Sequence, residues 1–382
     1  MYGETFKDSL YGAFQPIDGD YDVAFLIQLM EYFPTDKVDV GTGTYDPYLY
    51  DLLKTVVDNY EKGNYQVSFF YAHLIFMSYV YYCVDRAYQL HPERMKDIYY
   101  AISSYHGGKD KPDIENHDSV YDFSTIPEKE VFKLFRAMGM DDAKIKGISN
   151  YISNRDDYAH ATGNGNISED ALKQNIRTIS RHMESLHEIF KLSIKELYVQ
   201  YLLDSYTAEY VDIQDGLYDF MADHFLSLCD LDYLCQLGIS GIRNENDQFK
   251  ENYRYIKKVH CTFIEYCMEN MGTEELASYS DLRNEAFLFY KYKGNAEAYV
   301  ENELGISAYQ CTKEGWEYPV YECPECEEEQ LVHNVENKTF HCFACDADFK
   351  DGELEFCSRC GALMKSDETG ICPNCIENMI VE

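Results

Sequence analysis

Apolar residues recur at helical spacing through most of the chain up to about residue 310. The clearest stripe consists of side chains three and four positions apart: Leu172, Ile176, Ile179, Met183, Leu186 and Phe190. Such a stripe covers one face of an α-helix, and Ser168 is placed to cap its N-terminus. The same periodicity predicts helices over residues 22–33, 46–60, 64–90, 128–139, 141–161, 213–237, 246–270, 274–293 and 295–304. We therefore expect a mainly α fold in this part of the chain.

One apolar run, from Val67 to Val84, approaches the length of a membrane-spanning helix. It contains His73, Ser78 and several tyrosines, and no cluster of basic residues flanks it. These polar groups favour a buried central helix of a folded body. The alternative, a membrane-associated helical protein, depends on this stretch alone.

The pattern changes in the last sixty or so residues, where four Cys-x-x-Cys pairs follow one another. Two thiolates on a tight turn can hold one Zn²⁺, and two such turns complete a tetrahedral site. The sequence therefore predicts two Cys₄ zinc sites in two small C-terminal β zinc ribbons, with strands leading into the first two turns at residues 320–322 and 339–341. Gly361 suits a turn that tolerates only a small residue. The predicted ligands are Cys323, Cys326, Cys342, Cys345, Cys357, Cys360, Cys372 and Cys375.

Other uses of these cysteines fit less well. Disulfides need an oxidising compartment, and the sequence opens Met1-Tyr2-Gly3-Glu4 without the basic and apolar segments of a signal peptide. A redox Cys-x-x-Cys motif normally occurs once. Four thiolates leave no open coordination position, so both Zn²⁺ ions are expected to be structural. Two arrangements of the four Cys-x-x-Cys pairs stay open. In tandem ribbons neighbouring pairs share a metal ion, and in a cross-braced arrangement the first pair joins the third and the second joins the fourth.

Composition limits the partners. The chain has 382 residues, 46% of them hydrophobic, which is enough for two or three domains with a sizeable core. Its formal charge of −35 repels free polyanions. Nucleic-acid chemistry would therefore need a local basic pocket or a complex delivered by a partner. The remaining cysteines match no metal spacing and are expected to be buried apolar residues: Cys83, Cys229, Cys235, Cys261, Cys267 and Cys311.

The most chemically suggestive stretch combines Arg155, Asp156 and His160 just before a Gly-rich turn at residues 163–166. The helix that carries it has an apolar face formed by Ile145, Ile148 and Ile152. Arg155 continues that face. An arginine there is costly unless it is paired, so we expect this face to meet a pocket or a partner surface. The plainer interpretation is a surface ion pair and a helix-terminal histidine.

These residues resemble the hallmark of the HEPN superfamily, an Arg-x₄₋₆-His motif with a polar residue after the arginine and a small residue after the histidine. Arg155-Asp156 and His160-Ala161 fit each part. The resemblance covers roughly residues 46–204. It implies an all-α HEPN-like bundle and a cytoplasmic, metal-independent endoribonuclease that cuts RNA at a composite homodimer site. Arg155 and His160 would be catalytic and Asp156 would orient one of them.

The bare motif also occurs at Arg86-x₄-His91 and at Arg177-x₄-His182. Pro92 directly follows the first histidine, and Arg177 lies inside the regular helix of residues 172–190. Neither has the polar and small neighbours or the chain break that follows His160. The sequence therefore favours Arg155 and His160.

The predicted organisation is an N-terminal helical extension (1–45), a HEPN-like helical domain (46–205), a second helical region (206–310) and zinc ribbons at 318–348 and 354–378. The favoured function is an RNA-cutting enzyme, by analogy in a toxin or antiviral defence system. The rival is a non-catalytic dimeric interaction protein. In either case a protein partner or effector would bind through the ribbons or residues 206–310, and in the rival the ribbons could also dock nucleic acid.

Overall fold

The computed structural model of the chain describes residues 6–14, 21–38, 45–102, 111–159, 167–207, 213–224, 226–272, 285–335, 338–366 and 369–381. These residues are mainly helical, with a small C-terminal strand region. The coarse fold class is therefore confirmed, and the HEPN-like arrangement of the bundle stays a prediction. The chain divides into two compact units: Met1–Asp204 with Tyr210–Cys235 and Tyr266–Leu276, and Ser205–Glu209 with Gln236–Glu265 and Ala277–Glu382.

The first unit is helical in its described residues. Its α-helices are α1 (Phe6–Phe14), α2 (Tyr21–Met30), α3 (Thr35–Val38), α4 (Pro47–Glu61), α5 (Tyr65–Leu90), α6 (Pro92–Ala101), α7 (Glu128–Val131), α8 (Asp142–Ala159), α9 (Glu169–His187), α10 (Lys191–Thr207), α11 (Ile213–Asp223) and α12 (Leu228–Cys235). Two 3₁₀-helices, Val120–Thr125 and Phe132–Arg136, and one π-helix, Cys267–Met271, complete it.

Helix α5 is the centre of this unit. Both α4 and α9 pack against it, and Ile75, Phe76 and Val80 are fully buried along its length. By length and composition α5 could cross a membrane, but 72% of its most apolar window is buried inside the protein. That burial is what the sequence analysis expects of a central core helix.

The start of α4 shows how one side chain organises several elements. Asp46 is the N-cap, and its Oδ1 accepts a hydrogen bond from the backbone N–H of Tyr48 at 2.9 Å. Its Oδ2 accepts from the hydroxyls of Tyr82 at 2.8 Å and Tyr121 at 2.7 Å. Asp46 therefore ties α4 to α5 and to the 3₁₀-helix of residues 120–125. The predicted cap at Ser168 is also confirmed, because its Oγ accepts from Ala171 N at 3.2 Å.

Three predicted helices are broken in the structure. The helix expected over 213–237 is two helices, because Ser227 caps a new start: its Oγ accepts from Asp230 N at 3.2 Å. The helix expected over 246–270 is also divided, into Asp247–Glu251 and Tyr253–Tyr266, with Asn252 between them. The segment 128–139 changes from an α-helix to a 3₁₀-helix after Val131. Side chains three residues apart lie on the same side of a 3₁₀-helix, and two such side chains, Phe132 and Phe135, are both buried.

The second unit combines short helices with two small sheets. The helices are α13 (Ile239–Glu245), α14 (Asp247–Glu251), α15 (Tyr253–Tyr266), α16 (Glu285–Tyr292), α17 (Ala296–Asn302), α18 (Ala308–Glu314) and α19 (Pro373–Val381). The strands are β1 (Val320–Tyr321), β2 (Leu331–Asn334), β3 (Thr339–Cys342), β4 (Asp348–Lys350), β5 (Leu354–Phe356) and β6 (Leu363–Lys365). Strands β1 to β4 form an antiparallel sheet in chain order, and β5 pairs antiparallel with β6.

The four-stranded sheet buries a small apolar core. Phe340 on β3 lies opposite His333 on β2 and Phe349 on β4. Leu331, Phe340 and Phe349 pack together with Leu354. The strands expected before the first two cysteine turns, β1 and β3, are therefore present. They hold those turns at one end of a packed sheet.

Candidate functional site

The first cysteine group lies at the end of the four-stranded sheet. Cys323 and Cys326 follow β1, and Cys342 and Cys345 flank the turn after β3. The Sγ atoms of Cys323 and Cys345 are 3.8 Å apart, and those of Cys326 and Cys342 are 3.7 Å apart. The second group, Cys357, Cys360, Cys372 and Cys375, is similarly close, with 3.6 Å between Sγ of Cys360 and of Cys372.

These distances fit a tetrahedral metal site. Metal–sulfur bonds of about 2.3 Å place the four sulfur atoms of a tetrahedron about 3.8 Å apart. Within each group all four Sγ atoms lie within 4.8 Å of one another. The structure therefore brings the first Cys-x-x-Cys pair together with the second, and the third pair together with the fourth, as in the tandem alternative. Each of the two groups could hold a metal ion.

The cysteine turns share a backbone conformation. The residue after the second cysteine has a positive φ in three of the four pairs: 62° at Glu327, 60° at Asp346 and 78° at Gly361. The expectation that this position tolerates only a small residue is therefore wrong, since a glutamate and an aspartate occupy it. The fourth pair differs, because Pro373 begins α19 and Cys375 lies within that helix. The second site is thus a β-hairpin and a helix.

Backbone N–H groups point at the sulfur atoms. Glu325 N lies 3.5 Å from Cys323 Sγ, and Ala344 N lies 3.4 Å from Cys342 Sγ. In the second group Cys372 N donates to Cys357 Sγ at 3.2 Å. That hydrogen bond is the main cause that lowers the pKa of the Cys357 thiol to about 6. A lowered pKa favours the thiolate form of Cys357, which is the form that binds a metal ion.

Arg155 lies in the last turn of α8 and forms an ion pair within its own chain. Its Nη2 donates to Glu128 Oε2 at 2.5 Å, and 19% of the arginine side chain is exposed. The other oxygen of Glu128 is 3.2 Å from Nε2 of His73, which is buried on α5. Glu128 therefore bridges a buried imidazole and a half-buried guanidinium. The paired arginine also explains how a cation sits on the apolar face of α8.

A polar cluster continues behind this ion pair. The Tyr151 ring lies 5.8 Å from the His73 ring and 5.6 Å from the His182 ring. The Asn175 side-chain amide donates to Tyr151 Oη at 3.4 Å. Burial raises the pKa of the Tyr151 hydroxyl, and burial lowers the pKa of His182 to about 4. Both side chains are therefore neutral near pH 7.

Only part of the predicted catalytic set falls in the described residues. Arg155 has a described environment, and Asp156 lies in α8 with a side chain outside the described residues. His160 lies outside them altogether. The sequence analysis missed Glu128 and His73. In the sequence, Glu128 is marked only weakly, as the residue that follows Pro127 at the start of a helix. His73 is marked only as a polar residue within an apolar run.

The Arg86-x₄-His91 pair has different surroundings. Arg86 is buried, and its Nη2 donates to Asp230 Oδ2 at 2.7 Å. Oδ1 of Asp230 is 2.7 Å from Nε2 of His187, so one carboxylate joins a buried guanidinium and a buried imidazole. His91 contacts Ser193 Oγ at 3.0 Å.

The carboxylate at the centre of this second network stays ionised. Burial alone would raise the pKa of Asp230, but the charges of Arg86 and His187 outweigh it and lower the pKa. Ser227 adds hydrogen bonds from its N–H and its hydroxyl, both at 2.9 Å. This cluster is buried in the core and has the character of a structural ion pair.

Comparison of the chain with protein-family models, with curated proteins and with solved structures finds no match.

Proposed function

We propose that this protein is a metal-independent endoribonuclease of the HEPN type, in which Arg155, His160 and Asp156 carry the chemistry. A contrast among the three Arg-x₄-His pairs supports the proposal. Arg86 is committed to a buried ion pair, and His182 packs among aromatic rings. Arg155 instead reaches the surface at the end of α8. Arg177 is exposed as well, but its histidine is the enclosed His182, whereas Arg155 combines an exposed edge with the polar contact to Glu128.

The reaction follows from these residue types. The 2′-oxygen of RNA attacks the adjacent phosphorus, and the bond from phosphorus to the 5′-oxygen breaks. A base takes the 2′-hydroxyl proton and an acid protonates the departing 5′-oxygen. An imidazole titrates near neutrality, which suits His160 for proton transfer. Arg155 would stabilise the charge on the phosphorane through its fixed donors, and Asp156 would orient one of the two.

The proposed active site needs two copies of the chain. Five residues on a regular helix turn about 140°, so a regular continuation of α8 to His160 would point Arg155 and His160 in different directions. A two-fold homodimer through this face would bring the two motifs together in one composite cleft. The same resemblance to HEPN proteins suggests a role in toxin or antiviral defence.

The metal sites would have a supporting role. Each Cys₄ group fits one Zn²⁺, and four thiolate ligands leave it without an open position for substrate. The ions would crosslink the C-terminal modules and leave the proton transfers to protein side chains. The modules would then serve as docking points for a partner, which is useful to a chain of net charge −35 that repels free RNA.

The second candidate function is a non-catalytic dimeric interaction protein whose ribbons dock a protein or nucleic-acid partner. One specific contact favours it. Glu128 lies 2.5 Å from Arg155 Nη2 and offsets the positive charge that a phosphate would use. A phosphate would have to compete with this carboxylate or bind the remaining donors of the guanidinium.

A cleavage assay with matched histidine variants separates the two functions. We expect the wild-type chain to cut single-stranded RNA, and Arg155→Ala and His160→Ala to lower the rate at least about a hundredfold. His91→Ala should cut at the wild-type rate, because its histidine belongs to a motif without the required surroundings. Circular dichroism checks that each variant is folded. Undiminished cutting by His160→Ala would remove the site, and no cutting by any folded dimer would favour the interaction protein.

A further inference from the structure

One helix of the second unit carries two cations that contact the first cysteine group. Arg254 and Lys257 are three positions apart on α15, so they lie on one face of the helix. Arg254 Nη2 donates to Glu325 Oε2 at 2.8 Å. The Lys257 ammonium is buried and lies 2.8 Å from Asp346 Oδ1. Both cations on this face of α15 are therefore paired with carboxylates.

The two carboxylates belong to the two turns of the first cysteine group. Glu325 lies between Cys323 and Cys326, and its backbone N–H donates to Cys323 Sγ at 3.5 Å. Asp346 directly follows Cys345, at the position of the turn where φ is positive, 60°. Each carboxylate is therefore part of a metal-binding turn. Through one ion pair to each turn, α15 contacts both halves of the predicted site.

The charge of the site shows what these ion pairs can do for a metal ion. Four thiolates and one Zn²⁺ have a net charge of about −2, and Glu325 and Asp346 add two carboxylates. Like charges so close repel one another, and nearby cations offset that repulsion. Burial alone would lower the pKa of the Lys257 ammonium, but the charges of Asp348 and Asp346 outweigh it and raise the pKa. Lys257 is therefore charged at neutral pH.

Arg254 also lies near a metal ligand. Arg254 and Cys345 line the same cleft beside α15. The hydrogen bond to Glu325 is the main cause that raises the pKa of Arg254, and the charge of Cys345 contributes. The other oxygen of Glu325 is 3.2 Å from the Lys365 ammonium on β6. The carboxylate of the first turn therefore lies between two cations.

The second cysteine group lacks the carboxylates that make this arrangement possible. Its turns, residues 357–361 and 372–376, contain no aspartate or glutamate. Arg359 of that group donates instead to the backbone oxygen of Cys375 at 3.3 Å. The second site is therefore an internal reference for any effect of α15 on the first.

We propose that Arg254 and Lys257 are positioning residues of the first metal site, which hold its two cysteine turns in place and raise its affinity for Zn²⁺. They act on the metal through Glu325 and Asp346. Partners of this kind, one contact removed from the metal ligands, typically change metal affinity 10–100-fold. The inference does not depend on the proposed ribonuclease activity.

Zinc affinity of the full-length protein tests the proposal one site at a time. Cys357→Ser with Cys360→Ser leaves the first site, and Cys323→Ser with Cys326→Ser leaves the second. Each protein is titrated with a chromophoric chelator that competes for the zinc ion. The substitutions on α15 are then made in both backgrounds, so that an effect on the first site is separated from a general loss of stability.

In the first background we expect Lys257→Met to weaken zinc binding about tenfold or more. Arg254→Met should weaken it about twofold to fivefold, because the arginine is exposed and its ion pair is screened by water. In the second background neither substitution should change zinc affinity. Lys258→Met is the matched control, because Lys258 is the exposed neighbour of Lys257 on α15, and it should change neither site.

A further variant tests whether Lys257 acts through its carboxylate partner. In an Asp346→Asn protein, Lys257→Met should have a smaller effect on zinc affinity, because the two residues share one contact. Circular dichroism checks folding, and Arg254→Met decides the matter if Lys257→Met does not fold. Wild-type zinc affinity of the first site in the folded variants, or equal losses at both sites, would overturn the proposal. An undiminished effect of Lys257→Met beside Asp346→Asn would also contradict it.

Discussion

The second cysteine group and the bundle around α5 differ in how much apolar side chain each one buries. The buried cluster of the second group consists of Cys357, Met364 and Cys372, and two of these three are predicted metal ligands. The bundle buries large side chains such as Phe76 and Phe132 completely. Burial of apolar surface contributes about 25 cal/mol per Å², so the bundle can fold on packing alone. We therefore expect the cysteine module to need a metal ion in place of a core.

The first cysteine group lies between these extremes. It shares its sheet with the packed Leu331, Phe340 and Phe349. Helices of the same unit also hold it: Gly294 N donates to Phe343 O at 2.8 Å, and the Lys257 ammonium is 2.8 Å from Asp346. We therefore expect the two metal sites to differ in how much of their structure survives without metal.

Metal removal is expected to have the largest effect. Structural zinc binding contributes on the order of 10 kcal/mol to folding of so small a module. We predict that elemental analysis finds two zinc ions per chain in the wild type. The double variant Cys323→Ser with Cys326→Ser should keep one zinc ion, and the control Cys229→Ser should keep two. Chelation should unfold the second group first and leave the helical signal of the bundle. Retention of both ions in the double variant would contradict the assignment.

Asp230→Ala should destabilise the bundle without touching the metal modules. It leaves the buried Arg86 without its carboxylate, which costs about 3–5 kcal/mol. Urea unfolding of the helical signal measures the loss. The control is Lys133→Ala, which removes an exposed partner of Glu130 and should cost less than about 1 kcal/mol. Similar losses in the two variants would show that the buried network is not a stabilising feature of the core.

Acid is expected to lower the stability of the bundle by a smaller amount. Burial lowers the pKa of His182 to about 4, below its unfolded value near 6.5. The folded state therefore binds the proton less readily than the unfolded state. The resulting stability is complete above about pH 6.5 and is lost as the pH falls towards 4. His182→Phe, which keeps a ring beside Phe76 and Tyr151, should lose less stability over this range. An identical pH dependence of stability in the variant would contradict burial of His182 as the cause.

The two regions also differ in how far the sequence predicts them. Each cysteine group is built from pairs close together in the chain, and its ligand chemistry fixes which residues must meet. Helix caps such as Ser168 are equally local. The broken helix at Ser227 was missed because a serine within an apolar pattern becomes a cap only when Asp230 turns towards Arg86. That choice depends on tertiary contacts.

The surroundings of Arg155 lie beyond sequence reasoning for a similar reason. The motif identifies the arginine, but its partner Glu128 is 27 positions away and the next contact, His73, is a further 55 positions from Glu128. No periodicity links these three residues. Only the packing of α5, α7 and α8 brings them together.

The chemistry of the RNA ends tests the proposed function most directly. Wild-type protein is incubated with single-stranded RNA and with DNA of the same sequence, in EDTA at a concentration that leaves both zinc ions bound. The account predicts RNA fragments with a 2′,3′-cyclic phosphate and a 5′-hydroxyl, and intact DNA, because the 2′-hydroxyl is the nucleophile. RNA fragments with a 5′-phosphate, or cleavage of DNA, would contradict it.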